Sequence, residues 1–237
     1  MRKYFRYGIL LTEFFWRRKF PMLSRAPCCL AIMVVLSVPV LAAEPVLKLP
    51  STPIRAGQGI ALQTLAPSLL KLKKQDLTIE FWVRPDRPAI ERKRIHLSCF
   101  SNRGGSNVKA ISIACNQGVP SVCCLGSILN GATALPAERW SHLAITIETM
   151  TLNKRVRLWI NGQRVDESLV LQPWPEGFYY ARMFDDPWSQ SRFFSGAAGP
   201  LRVSSTIRYR DKFQPVGNWT RDDHVLLQLA GDDLKLE

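Results

Sequence analysis

Residues 138–165, ERWSHLAITIETMTLNKRVRLWINGQRV, constrain the fold more than any other part of the chain. In WSHLAITIE, Leu143, Ile145 and Ile147 alternate with bulky residues on the other face, which predicts a central strand covered on both sides. The run RVRLWI then leads into Asn161-Gly162 and QRV. Asn-Gly between alternating runs favours a type I′ hairpin, because both central residues of that turn need a positive φ. The segment is therefore predicted to be scaffold.

Similar short runs recur along the rest of the chain. LTIEFWVRP, which begins at Leu77, alternates and is rich in β-branched and aromatic residues. The runs RIHLSCF, KAISIAC, SVCCLGSIL, GPLRVSS and HVLLQLA also have strand character. No long helical period is present, and only a short helical turn near PSLLKL or RYRDKF is expected. Many short strands between Gly- and Pro-rich turns predict an all-β fold, either a sandwich or a jelly roll.

The N-terminal 43 residues have the pattern of a targeting segment. Seven basic residues precede or flank an uncharged apolar run of 16 residues, from Cys28 to Ala43, which ends in small residues. A basic region, a short apolar region and a small-residue exit are typical of a secretory signal peptide. A membrane helix needs about 20 apolar residues. We therefore expect cleavage after Ala42 or Ala43, with Met22 as an alternative start, and a domain that spans residues 44–237.

Charge and location limit the partners of this domain. The formal charge is +13 for the whole chain, and residues 44–237 carry +7 of it. This moderate basicity suits an acidic glycan, a cell wall or another anionic surface, and a solvated basic surface without a specific partner is an equal alternative. No nucleic-acid motif is present, so no nucleic-acid partner is expected. The chain is predicted to be exported to the periplasm, cell surface or extracellular space, and to meet a membrane only transiently through its signal peptide.

Five motifs in the right order resemble a known family. LTIEFWVRP, ERWSHLAITIE, RVRLWINGQRV, FFSGAAGPLRVSSTIRYRDKFQP and DDHVLLQLAGDD are similar to successive segments of the laminin-G-like, concanavalin A-like jelly-roll domains. The resemblance covers about Gly59 to Asp233. It implies an all-β, antiparallel two-sheet jelly-roll sandwich of the concanavalin A type. It leaves function open, since this fold hosts lectins, adhesion modules, glycosidases and spacers.

One departure from the family pattern concerns calcium. Where the family often has Asp-Glu before its Arg-containing strand, this chain has Gly199 and Pro200. Calcium needs several oxygen ligands, and two acidic candidates are missing here. No cofactor is therefore predicted, and calcium is kept only as a disfavoured alternative.

Four cysteines lie outside the predicted signal peptide: Cys99, Cys115, Cys123 and Cys124. Export to an oxidising compartment permits disulfides, and four cysteines allow three connectivities. The favoured expectation is one disulfide that joins Cys115 to Cys123 or Cys124. Cys99 is the other possible partner in such a bond. Buried thiols and a zinc site are the alternatives, although adjacent cysteines do not have the usual spacing of zinc ligands.

Residues for catalysis are not found in a usable pattern. A glycosidase of this fold needs two carboxylates that face one cleft. Glu148 stands alone on its strand, and Asp166 and Glu167 are adjacent, so they would point to opposite faces of a regular strand. His142 is interpreted as a buried, hydrogen-bonded scaffold histidine. No enzymatic activity is predicted.

The segment 174–194, WPEGFYYARMFDDPWSQSRFF, is the predicted ligand surface. It holds eight aromatic residues, half of those in residues 44–237. Aromatic rings can stack on sugar rings, and polar neighbours can bind their hydroxyl groups. The candidate ligand-binding residues are Trp174, Tyr179, Asp185, Asp186 and Trp188. The three aromatic residues among them are expected to lie near solvent, because proline and aspartate occur close by in the segment. Packing in the sandwich core is the alternative, and it is favoured for Phe193 and Phe194.

Three functions remain open at this point. The leading hypothesis is an exported, non-catalytic module that binds a carbohydrate or an extracellular protein. The second is a structural module of an envelope or matrix without a ligand of its own, and the third is a diverged glycoside hydrolase. Exposed aromatic residues in a groove would favour the first and buried ones the second. Two carboxylates converging on the concave face would favour the third.

Overall fold

The strands that the sequence predicts form two stacked antiparallel sheets. The computed structural model describes residues 51–55, 58–72, 75–101, 111–174, 177–178, 180–184 and 193–231. These residues belong to the unit Pro45–Glu237, and the other unit, Met1–Glu44, contains the whole predicted signal peptide and lies outside the described residues. No helix of the described ranges is long and apolar enough to cross a membrane.

The described residues contain thirteen strands and three short helices. The strands are β1 (Thr52–Ile54), β2 (Ile60–Ala61), β3 (Leu77–Pro85), β4 (Ile95–Ser101), β5 (Ile111–Asn116), β6 (Val119–Cys124), β7 (Ser127–Asn130), β8 (Ser141–Thr149), β9 (Lys154–Ile160), β10 (Gln163–Val170), β11 (Tyr180–Met183), β12 (Gly196–Ser204) and β13 (Val225–Leu229). The helices are α1 (Leu62–Leu65), a 3₁₀ helix (Pro67–Lys71) and α2 (Arg87–Glu91). The 3₁₀ helix confirms the helical turn expected at PSLLKL, and no helix forms at RYRDKF.

The strand order is that of a jelly roll. The seven-stranded sheet has the order β1-β12-β3-β8-β9-β10, with β13 also paired to β12, and the six-stranded sheet has the order β2-β11-β4-β5-β6-β7. In both sheets a strand from the C-terminal half pairs between two strands from the N-terminal half, so the connections cross between sheets. The predicted fold class is therefore confirmed.

The central strand predicted at residues 140–148 is β8, which pairs with β3 on one side and β9 on the other. Leu143, Ile145 and Ile147 point into the core between the sheets, while His142 and Thr146 are buried on the opposite face. Both faces of this strand are therefore covered, as the two-sided bulk predicted. Burying such aliphatic side chains stabilises the fold by about 1.5–3 kcal/mol each.

The hairpin between β9 and β10 also forms as predicted. Asn161 and Gly162 have φ values of 49° and 76°, the positive values of a type I′ turn. A second hairpin of this kind was missed: the run SVCCLGSIL is broken by Leu125 and Gly126, at φ 49° and 91°, into β6 and β7. Leu-Gly lacks the Asn or Asp that makes such a turn recognisable.

Candidate functional site

The outer face of the seven-stranded sheet is covered by residues 205–223, which we call the strap. The backbone amide of Phe213 donates to the carbonyl of Gly162 at 3.1 Å, and the indole of Trp82 donates to the carbonyl of Val216 at 3.2 Å. A Cβ atom on Gly162 would lie 1.9 Å from the carbonyl oxygen of Phe213. This glycine is therefore needed both for the hairpin and for the close approach of the strap.

A buried charge network lies beneath the strap, with the carboxylate of Glu80 at its centre. Glu80 accepts hydrogen bonds from Arg202 at 2.8 Å, from Tyr209 at 2.6 Å and from Nε2 of His142 at 3.1 Å. The side chains of Glu80 and His142 are fully buried. Tyr209 and Phe213 stack with ring centroids 3.5 Å apart, so the phenol links the network to the strap.

The electrostatics of this network are those of a structural ion pair. Burial favours the protonated form of Glu80, but the hydrogen bond and charge of His142, together with Arg202 and Tyr209, outweigh it and lower the pKa. Burial and the neighbouring Glu80 raise the pKa of Tyr209, which stays a neutral donor. The interpretation of His142 as a buried, hydrogen-bonded histidine is confirmed. The sequence analysis missed Glu80, whose signal was a lone carboxylate inside an apolar strand.

A second pair of carboxylates on this sheet is held by arginines. Glu148 on β8 and Glu167 on β10 both accept from Arg157, at 3.1 Å and 2.8 Å. Their convergence is the pattern that the glycosidase hypothesis needed. However, the hydrogen bond from Arg210 and the charge of Arg157 lower the pKa of Glu148, whereas a general acid needs a raised pKa. This pair is therefore arranged to bind arginine and not to transfer a proton.

The outer face of the six-stranded sheet has a different composition, and we call it the outer polar face. The strand register places one row of side chains across all six strands: Ala61, Arg182, Cys99, Ser112, Cys123 and Ile128. A second row crosses four strands: His96, Ala114, Ser121 and Asn130. Small and polar residues predominate in both rows.

This face contains a depression of about 80 Å³. Its lining residues are Arg94, Ser112, Ala114, Asn116, Ser121, Cys123 and Ile128. The amide of Asn116 donates to the hydroxyl of Ser121 at 3.2 Å, which fixes both side chains along the floor. The small side chains of β5 and β6 leave room above the sheet, and Arg94 and Ile128 form the rim. Hydroxyl, amide and guanidinium groups thus converge on one concave point.

The aromatic segment 174–194 is mainly core where the structure describes it. Phe178, Phe184 and Phe194 are buried, and Phe193 is half-buried. The expectation that Trp174 lies near solvent is wrong: only 9% of it is exposed, and its indole donates to Thr149 at 3.1 Å. It packs at the end of the core because the chain turns inward after β10. Tyr179, Asp185, Asp186 and Trp188 lie outside the described residues, so their role stays a prediction.

One aromatic residue of that segment does lie on the outer polar face. Tyr180 begins β11 and pairs with Ser101, while the next residue, Ala181, points into the core. The guanidinium of Arg182 is 5.8 Å from the centroid of the Tyr180 ring. β11 therefore carries part of the predicted aromatic segment to the face that holds the depression.

The predicted disulfide is wrong. Cys115 lies opposite Pro120, four residues along β6 from Cys124, so their Cα atoms are about 13 Å apart. Cys99 and Cys123 both face Ser112 from opposite sides, which separates them by about 10 Å. A disulfide needs Cα atoms within about 7 Å. Cys123 and Cys124 are adjacent and point to opposite faces, and none of the four cysteines is bonded to another.

Gly199 and Pro200, which stand where the family pattern often has two acidic residues, belong to β12. Gly199 and Pro200 lie where the register of β12 against β3 shifts between Ala198 and Leu201, so they occupy a bulge in the strand. Within the described part of the chain, no three His, Cys, Asp or Glu side chains are grouped so that they could hold a metal ion.

These features coincide with a family match. The family model for the concanavalin A-like lectin/glucanases superfamily, of the laminin G type, matches residues 57–211. The chain belongs to this superfamily. The resemblance of the five sequence motifs to this family is thereby confirmed. The matched range includes the first part of the strap, residues 205–211. No curated protein matches the sequence.

Solved structures of this superfamily fold are similar at low identity. A candidate carbohydrate-binding protein from Bacteroides ovatus has a TM-score of 0.58 at 15% identity, covering 78% of this chain and 52% of that one. A leech intramolecular trans-sialidase has a TM-score of 0.52 at 16% identity, covering 68% and 26%. The CBM40 module of a Ruminococcus gnavus IT-sialidase has a TM-score of 0.50 at 13% identity, covering 67% and 91%. The chain thus spans about half the length of the first protein and a quarter of the second, and these likenesses show the fold.

Proposed function

We propose that this chain is an exported module that binds carbohydrate on its outer polar face and does not cleave it. The observation that carries the proposal is the depression lined by Arg94, Asn116, Ser112 and Ser121. Sugar hydroxyl groups are recognised by side chains that both donate and accept hydrogen bonds, and Ser and Asn do both. These groups stand on neighbouring strands of one sheet, which holds them in fixed relative positions.

Two further observations support carbohydrate as the ligand. Tyr180 and Arg182 lie on the same face as the depression, and a tyrosine ring beside polar groups suits the mixed polar and apolar surface of a sugar. The solved structures of similar fold include proteins described by carbohydrate binding. At their level of identity these names agree with the proposal without specifying a ligand.

The state of three described carboxylates supports a module that does not cleave its ligand. Glu80 is buried beneath the strap, and Glu148 and Glu167 are bound by arginines. None of these three carboxylates lines the depression. A glycosidase needs a raised pKa on one of two carboxylates beside the bound sugar, whereas the pKa values of Glu80 and Glu148 are lowered.

The experiment is a glycan-array screen of the exported mature chain, with two variants as a matched pair. Asn116→Ala removes an exposed amide from the depression, and Gln214→Ala removes an exposed amide from the strap on the opposite sheet. We expect Asn116→Ala to weaken binding of any hit about 3- to 10-fold, the loss of one neutral hydrogen bond, and Gln214→Ala to leave it unchanged. Equal effects, or no glycan hit, would overturn the proposal.

The structural-module hypothesis is the second candidate, because part of the aromatic segment is buried. Trp174, Phe178, Phe184 and Phe194 serve the core and cannot stack on a ligand. If Trp188→Ala lowered the melting temperature strongly while glycan arrays stayed blank, this second candidate would replace carbohydrate binding.

A further inference from the structure

The rim of the depression carries a cation, Arg94, for which the described residues provide no acceptor at Nε. Arg94 is the charged member of the lining and immediately precedes β4. Its Nε atom is buried and has no hydrogen-bond acceptor in the part of the chain that the structure describes. A guanidinium group that is partly removed from water needs acceptors to offset its desolvation. The Arg94 guanidinium is therefore available to an anionic or strongly polar group of a ligand that enters the depression.

Among the described residues that line the depression, Arg94 is the only charged one. The others are Ser112, Ala114, Asn116, Ser121, Cys123 and Ile128, none of which carries a carboxylate. Asp166, at the adjacent edge, accepts from the backbone amides of Asn130 and Glu167 at 2.8 Å, so both its oxygens face the backbone.

The size of the depression limits what part of a ligand enters it. A cavity of about 80 Å³ is well below the ~300 Å³ at which pockets begin to bury a whole drug-sized ligand. It has room for a substituent of a sugar ring, while the ring itself rests on the sheet. A carboxylate is such a substituent, and it matches the planar fork of a guanidinium.

We propose that this depression selects sugars that bear a carboxylate, with Arg94 binding the carboxylate. Asn116 and Ser121 are placed to hydrogen-bond the adjacent ring hydroxyls, and Ser112 forms the floor beneath. This inference rests on the proposed function and adds the chemical class of the ligand. A sulfate ester presents similar oxyanion chemistry, and the experiment separates the two.

The test uses glycan pairs in which one member carries the acidic group and the other lacks it. The exported mature chain is titrated calorimetrically with oligogalacturonate and its methyl ester, 3′-sialyllactose and lactose, and dextran sulfate and dextran. We expect at least one carboxylated glycan to bind and its neutral counterpart to bind at least tenfold more weakly. Arg94→Gln should weaken that binding about 10- to 100-fold, the effect of losing a hydrogen bond to a charged group.

Lys93→Gln is the matched control. Lys93 is the exposed neighbour of Arg94, so its substitution removes the same charge one residue away, and we expect less than a twofold effect. Equal losses in both variants would indicate unspecific attraction and overturn the inference. Equal binding of charged and neutral partners, or binding of the sulfate alone, would also overturn it while leaving carbohydrate binding intact. Binding of none of these probes, together with a blank array, would overturn both.

Discussion

The polar groups on the two outer faces of the sandwich have different surroundings. On the seven-stranded sheet, Glu80, Arg202, His142 and Tyr209 bind one another under the strap. On the six-stranded sheet, small residues leave a depression, and Arg94 reaches it with a nitrogen that no described residue binds. Both faces belong to one fold and differ in what covers them.

The two faces differ in what a ligand would gain by binding to them. A network whose charges bind each other is arranged for stability, because a ligand would have to break protein contacts before it made new ones. A cation that lines an open depression and has no acceptor among the described residues can instead gain a contact when a ligand arrives. The chemically richest cluster, around Glu80, is for this reason scaffold, and the plainer face is the candidate binding surface.

Removing the central carboxylate of the covered face should have the largest effect. Glu80→Ala leaves Arg202 and His142 buried without their acceptor, and we expect a loss of about 3–5 kcal/mol in the free energy of unfolding. Urea denaturation measures it. Asp222→Asn is the control, since Asp222 pairs with Arg208 at the surface and exposed pairs contribute about 0–1 kcal/mol. Similar losses in both variants would mean that the network does not hold the strap.

Disturbing the contact between the strap and the hairpin should have the second largest effect on stability. Gly162→Ala places a Cβ atom 1.9 Å from the carbonyl oxygen of Phe213, whereas Gly126→Ala meets nothing within 4 Å. Both glycines have positive φ, so both variants incur backbone strain of about 1–2 kcal/mol. We expect Gly162→Ala to cost a further ~1–3 kcal/mol from overpacking. Equal unfolding free energies would show that the strap does not need this close approach.

The same network should give the covered face an acid sensitivity. The pKa of Glu80 is lowered from 4.5 in the folded protein, so its contribution to stability is present above about pH 4.5 and is lost as the pH falls through the folded value. Glu148 and Asp222, whose pKa values are also lowered, act in the same direction. Between pH 7 and pH 3, the free energy of unfolding should therefore fall less steeply for Glu80→Gln than for the wild type. An unchanged slope would contradict this.

Alternation and turn chemistry were sufficient to predict most of the covered face. β3 was predicted with its observed bounds, and β8 with both faces buried, because side chains of period two report directly on a sheet. The Asn161-Gly162 hairpin followed from the φ values that its turn requires. His142 was assigned correctly from its place in a two-sided strand. These are local properties, which a single sequence carries.

Non-local properties could not be predicted in the same way. Glu80, Arg202 and Tyr209 are separated in sequence and meet only through the strand order, so neither their spacing nor their composition signalled the network. The disulfide prediction was wrong because it depended on register: a shift of four residues separates Cys115 from Cys124. Trp174 was placed near solvent from its neighbours in sequence, whereas the turn after β10 directs it inward.

The smallest expected effect on stability concerns the cysteine thiols, whose reactivity should also distinguish the outer polar face from the core. Cys123 is half-buried and lines the depression. Cys115 and Cys124 lie in the core, where burial raises the pKa of each thiol to about 12, and Cys99 is fully buried. Because the thiolate is the reactive form, iodoacetamide should modify Cys123 of the native protein at pH 8 well before Cys115 or Cys124.

Mass spectrometry of tryptic peptides locates the label, and the unfolded protein provides the control in which all four thiols react. Carbamidomethylation of Cys123 should change the melting temperature little, since its side chain points away from the core, but it should block the depression and reduce glycan binding. Rapid labelling of Cys115 or Cys124 would mean that the core is open. Recovery of a Cys123 disulfide from the exported protein would mean that the register of β5 and β6 is wrong, and with it the geometry of the whole outer polar face.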